Sequence, residues 1–168
     1  KESLVLLKNE NNTLPLDKNK LKKVFIAGPL AAETNYEISR YGPNHIKVTS
    51  VLEELRNYLP KEVKVNYLKG CDVVDSTWPE SEIIHTPLTA TEQEGIDEAV
   101  DEAKKNDVII AVLGEDVARV GEGLSRSGLD LPGRQEQLLE ALYATGKPVV
   151  LVLINGQPLT INWANKYV

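Results

Sequence analysis

The chain has 168 residues, 42% of them hydrophobic, and a net charge of −6, which suffices for one α/β domain with its own apolar core. The acidic balance disfavours nucleic acid or an anionic membrane surface as the main partner, and no apolar run approaches the length that crosses a bilayer. A lone cysteine, Cys71, excludes an internal disulfide and a cysteine-rich metal site, and His45 and His85 lie outside any HxxxH or HExxH spacing.

In chain order, Glu2–Lys8 (ESLVLLK) reads as the last turns of a helix, and Lys23–Ala27 (KVFIA) as a buried strand ending at Gly28. Ser50–Leu59 is a helix with Val51, Leu52, Leu55, Tyr58 and Leu59 on one face. Ser50 and Glu53 stand at capping-box spacing, and Pro60 is a stop. Val63–Leu68 alternates polar and apolar residues, as a strand near a sheet edge would. Gly70–Ala90 is long for a loop, which suggests function or docking.

Thr91–Lys104 is a helix with Thr91 and Glu94 as its capping pair and Ile96, Ala99, Val100 and Ala103 as its stripe. Val108–Leu113 and Val149–Ile154 are β-branched runs without polar alternation, the pattern of strands covered by helices on both faces. Between them Arg134–Ala144 follows Pro132 as a helix with Leu138, Ala141 and Leu142 inward, and Asn162–Val168 opens another. Strands alternating with helices at this spacing predict an α/β fold, a mostly parallel, doubly wound sheet flanked by helices. The chain starts at Lys1, lacks methionine, and opens and closes in helical patterns, so the expectation is one domain, cut from something larger.

Ligands of open α/β sheets sit beyond the carboxyl ends of the strands. Three loops qualify: Gly28–Pro43, with Asn35, Tyr36, Arg40 and Tyr41; Gly114–Gly133; and Asn155–Pro158. The glycines at 121, 123 and 128 do not form GxGxxG, and no GxxxxGK[ST] occurs, so a phosphate cradle is disfavoured. Ser125 and Ser127 are not in GxSxG and have no histidine downstream, and Glu115, Asp116 and Glu122 have no ligand pattern for a metal. What remains is Glu122, flanked by Gly121 and Gly123, with Arg126 four residues on. A carboxyl group on such a loop can do acid/base work if its surroundings raise its pKa; a solvated glutamate paired with Arg126 is the plainer reading. Arg126 could pin the loop or touch substrate, and Trp78 could be a sugar platform or the anchor of a long loop.

Four stretches in order, Glu2–Leu16 (ESLVLLKNENNTLPL), Val24–Pro29 (VFIAGP), Gly121–Gly133 (GEGLSRSGLDLPG) and Lys147–Ala164 (KPVVLVLINGQPLTINWA), resemble the C-terminal α/β-sandwich domain of glycoside hydrolase family 3. With their connections they span nearly the whole chain. The resemblance implies a retaining exo-β-glycosidase, β-glucosidase or β-xylosidase, that removes terminal non-reducing sugars. A (β/α)8 barrel at the N-terminal side would carry the aspartate nucleophile, and this domain would lend the loop bearing the acid/base glutamate, Glu122, with Arg126 and Trp78 as substrate contacts. It implies no cofactor, a β-linked glucoside or xyloside as substrate, and the barrel as partner; bacterial members are often periplasmic or exported. With no second carboxylate in place, the chain alone is expected to be inactive. The competing expectation is a non-catalytic α/β module that binds carbohydrate or a partner.

Overall fold

The structure is a computed structural model that describes residues 4–35, 46–74, 87–117, 121–123 and 128–168. Strands β1 (Lys23–Ala27), β2 (Lys64–Leu68), β3 (Val108–Gly114) and β4 (Val149–Ile154) form one parallel sheet in the order β2-β1-β3-β4. Parallel neighbours require crossovers. Three helices supply them: α1 (Val51–Tyr58), α2 (Ala90–Ala103) and α3 (Gln135–Tyr143), and α4 (Asn162–Tyr167) follows β4. The chain steps one way from β1 to β2, then back over β1 to β3. With right-handed crossovers this puts α1 on one face and α2 and α3 on the other.

The two cores follow from that winding. Phe25, Ala27, Ile109, Ala111 and Leu113 meet Ile96, Ala99 and Ala103 of α2, Leu138, Leu139 and Leu142 of α3, and Ala164 of α4. On the opposite face Val24, Ile26, Val108, Ile110 and Val112 meet Leu52 of α1 and Leu59 beyond its end. Alternate residues of β1 and β3 thus serve different cores, which is why both strands read as unbroken apolar runs. Each Val, Ile, Leu or Phe among them, taken out of water, contributes roughly 1.5–3 kcal/mol. At the amino end of the sheet, Asp107 accepts hydrogen bonds from the backbone N–H groups of Lys22 and Lys23, both at 2.8 Å, and locks the entry of β1 to that of β3.

The doubly wound sheet and the edge position of β2 are as expected. Four local expectations are corrected. Residues 4–9 are not helical: Leu4–Leu7 are 66–83% exposed, so the apolar run has no core to turn a face toward. They instead line, with β4 and α4, a groove of about 710 Å³. Helix α2 is capped by Thr89, not Thr91, with Glu92 completing the box. Tyr58 lies 67% exposed with Lys18 over its ring, outside the apolar face of α1. Finally, β4 is half-buried along its whole length whereas β3 is buried throughout, because β4 is the other edge of the described sheet.

Candidate functional site

The strand order reverses between β1 and β3, so the crevice of this sheet lies at their carboxyl ends. There β3 outruns its neighbour: the β1–β3 register ends at Ala27↔Ala111, while β3 continues to Gly114 beside Ile154 of β4. Only glycine fits at that last position. Gly114 has φ +140°, and an added Cβ would come within 1.8 Å of the Ile154 carbonyl oxygen.

The next residue, Glu115, is buried at 2% exposure. Its N–H donates to the Ile154 carbonyl at 2.9 Å, and its Oε2 accepts from the N–H groups of Gly156 and Gln157, both at 3.2 Å. The outgoing stem of the loop is thereby tied to the turn after β4, which Asn155 closes by donating from Nδ2 to the Gln157 carbonyl at 2.7 Å. Glu115 thus sits at the strand end, with its carboxylate accepting from backbone amides of the next loop.

The returning stem is held as firmly. Asp130 bridges Thr160, and the Thr160 N–H donates to the Leu129 carbonyl at 2.7 Å. Leu131 then enters the core. Two buried polar side chains follow. Gln135 accepts at Oε1 from the Gly114 N–H (2.8 Å) and donates from Nε2 to the carbonyls of Gly114 (2.8 Å) and Pro132 (3.0 Å). Arg134, 5% exposed, donates from Nε to Glu92 Oε1 at 2.8 Å and from Nη2 to Glu92 Oε2 at 3.3 Å and the Pro87 carbonyl at 3.1 Å. The Arg134 hydrogen bond, helped by Thr89, holds the Glu92 carboxyl below the usual carboxylate range. Glu92 is a structural anion, since a proton donor at neutral pH needs the opposite shift.

Between these stems, Glu122 is solvent-exposed. Gly121 and Gly123 on either side have φ of +133° and +76°, and an added Cβ on Gly123 would meet nothing within 4 Å. The backbone on either side of Glu122 therefore takes conformations that side-chain-bearing residues avoid. Arg126 and Trp78 lie outside the described residues, as do Tyr36, Arg40, Tyr41, Ser125, Ser127, His45 and His85. Asn35 is exposed and donates its N–H to Glu33 Oε1 at 2.8 Å.

Burial pushes the Cys71 thiol up to about 12, which removes it as a nucleophile at neutral pH. Among the described residues no group of three or more His, Cys, Asp or Glu is placed to hold a metal ion, and no helix is long and apolar enough to cross a membrane.

Gln135 and the Arg134–Glu92 pair were not singled out from the sequence. A signal existed for the first: Gln135 begins the i, i+3, i+4, i+7 stripe continued by Leu138, Leu139 and Leu142, and a polar residue on a core-facing stripe needs a buried partner. No local pattern pointed to the second, whose partners are far apart in the chain.

Comparison with known proteins places the chain in a family. Residues 4–168 match the family described as the glycosyl hydrolase family 3 C-terminal domain. A β-xylosidase of Formosa agariphila is 39% identical over 168 residues, covering 96% of this chain and 21% of that protein. A periplasmic β-glucosidase of Salmonella typhimurium is 35% identical, over 96% of this chain and 22% of its own length. Among solved structures, a β-glucosidase from Erythrobacter marinus superposes with a TM-score of 0.80 at 32% identity, covering 99% of this chain and 24% of that one. The chain thus spans about a fifth of the length of the curated relatives it matches.

Proposed function

The chain belongs to the C-terminal domain family of glycosyl hydrolase family 3, and we propose that it serves as the second domain of a retaining exo-β-glycosidase acting on terminal β-glucosides or β-xylosides. In this reading an N-terminal barrel domain carries the nucleophile and the loop after β3 delivers Glu122 as general acid/base. One observation carries the assignment. Glu122 stands exposed between two positive-φ glycines on a loop that leaves the central strand at the crevice of the sheet. Relatives named β-xylosidase and β-glucosidase support the substrate class.

The chemistry divides between two carboxyl groups. The barrel carboxylate attacks the anomeric carbon while the bond to the departing oxygen breaks, and the Glu122 proton passes to that oxygen. Glu122, now a carboxylate, takes a proton from water as the water oxygen attacks the anomeric carbon and displaces the barrel carboxylate. The two groups need to stand about 5–5.5 Å apart across the sugar. Glu115 cannot be the second, since its carboxylate is buried on the Gly156 and Gln157 amides. The exposed, glycine-flanked tip suits a group that must reach into another domain.

The test is Glu122→Ala in the polypeptide that joins this chain to its barrel. The value of kcat/KM for phenyl β-glycosides is expected to fall about 10²–10⁴-fold. For 2,4-dinitrophenyl glycosides, whose leaving group needs no proton, it should change little, and azide should restore turnover by attacking the anomeric carbon in place of water and displacing the barrel carboxylate as a glycosyl azide, since an anionic nucleophile needs no base. Unchanged turnover sinks the assignment. A change in affinity alone would favour a binding module instead.

A further inference from the structure

Between Gly114 and Pro132 the chain makes a long excursion, and its two ends meet on one side chain. The reason lies in the sheet. Successive residues of a parallel strand direct their backbone groups to opposite neighbours. Ile109 and Glu115 donate to Pro148 and Ile154 on the β4 side. The even-numbered residues of β3 therefore face β1. At Gly114 that side has no strand, because β1 has already ended in register with Ala111. The Gly114 N–H and C=O would be left without partners in a buried place, which costs stability.

The Gln135 amide fills the gap as a peptide group of a neighbouring strand would. Its oxygen takes the Gly114 N–H, one amide hydrogen goes to the Gly114 carbonyl and the other to Pro132. Gln135 is 0% exposed, and both amide hydrogens are used. The side chain closes the base of the loop by binding its first and last residues at once.

We propose that Gln135 is a positioning residue for the acid/base loop: by stapling Gly114 to Pro132 it fixes the separation and direction of the two stems, and so aims Glu122 at the departing oxygen. The proposal rests on the assignment of Glu122 made above. Gln135 touches no substrate. It acts through the stems, and without it the loop closes over a wider set of geometries. A misplacement of about 1 Å in a proton donor can cost up to about 10²-fold in rate.

The experiment measures kcat/KM, which reports the first, acid-assisted step, per active enzyme and across aryl β-glycosides from 2,4-dinitrophenyl to phenyl. Gln135→Met keeps the length of the side chain and deletes all three hydrogen bonds. It is expected to lower kcat/KM about tenfold for the phenyl glycoside and no more than about twofold for the dinitrophenyl one. Gln135→Asn keeps the amide but is too short to span both stems. It should show the same tilt, and it serves if the methionine variant fails to fold. A uniform fall along the series in both variants means general damage to the fold and overturns the proposal, as does an unchanged series. Glu122→Ala is run beside them. If it shows no leaving-group dependence, the assignment of Glu122 is wrong and the positioning role falls with it. If it does and the Gln135 variants do not, only the positioning role is wrong.

Discussion

The loop after β3 contains two regions built on opposite terms. Its stems are crowded. A Cβ on Gly114 would stand 1.8 Å from the Ile154 carbonyl oxygen, and the buried side chains of Glu115 and Gln135 hydrogen-bond to backbone. Its tip is open: residues 121–123 are exposed and a Cβ on Gly123 would meet nothing. The contrast teaches a division of labour. Precision is stored in the stems, where packing and backbone hydrogen bonds supply rigidity. Freedom is left to the tip, whose glycines adopt backbone conformations closed to other residues.

Substitutions can break that contrast, and the largest effect expected is the one on rate at the tip. Glu122→Ala should remove most acid-assisted turnover while leaving the urea midpoint of the domain unchanged, since an exposed loop side chain contributes little to stability. The reverse is expected at the stem. Gly114→Ala drives a Cβ into the Ile154 carbonyl and should destabilise by about 3 kcal/mol or more, read as a lower urea midpoint. A stable Gly114→Ala protein would show that the stem is less tightly packed than described.

Arg134→Met comes next. It strips the Glu92 carboxylate of its main partner and should cost about 2–3 kcal/mol. Its pH dependence sharpens the test. The folded-state pKa of Glu92 is lowered, so the stabilisation is fully present above the unfolded value of about 4.3 and is lost as pH falls through the lower folded value. The wild-type chain should therefore lose stability more steeply below about pH 4 than Arg134→Met. Parallel acid limbs for the two proteins would contradict the pairing. The smallest effect belongs to the tip again. Gly123→Ala has space but a positive φ, so a backbone cost of about 1 kcal/mol is expected, read as a small fall in the urea midpoint. A large fall would mean that the tip is packed after all.

Much of this architecture was legible along the chain. The runs KVFIA and VIIAVL announced strands covered on both faces, and the stripe of Ile96, Ala99 and Ala103 announced the helix that covers one of them. Errors arose where two local patterns competed. Thr89–Glu92 and Thr91–Glu94 both have capping-box spacing; Arg134, far along the chain, holds Glu92 and agrees with the earlier box. Likewise the run at Leu4–Leu7 is apolar enough for a helix face, but nothing in the described fold covers it. Of the residues singled out for the site, Glu122 is exposed between its two glycines, while Arg126 and Trp78 lie outside the described residues.

The sequence by itself determined the periodicities, the order of strands and helices, the family resemblance and the glutamate between two glycines. These are local properties, written in neighbours a few residues apart. Only the tertiary structure decided that β3 outruns β1, that Gln135 supplies the missing strand partner, and that Glu115 ties one loop to the next. Those contacts join residues about twenty to forty positions apart, and a buried polar group finds its partner only when folding has brought the two together and excluded the water that would otherwise satisfy them.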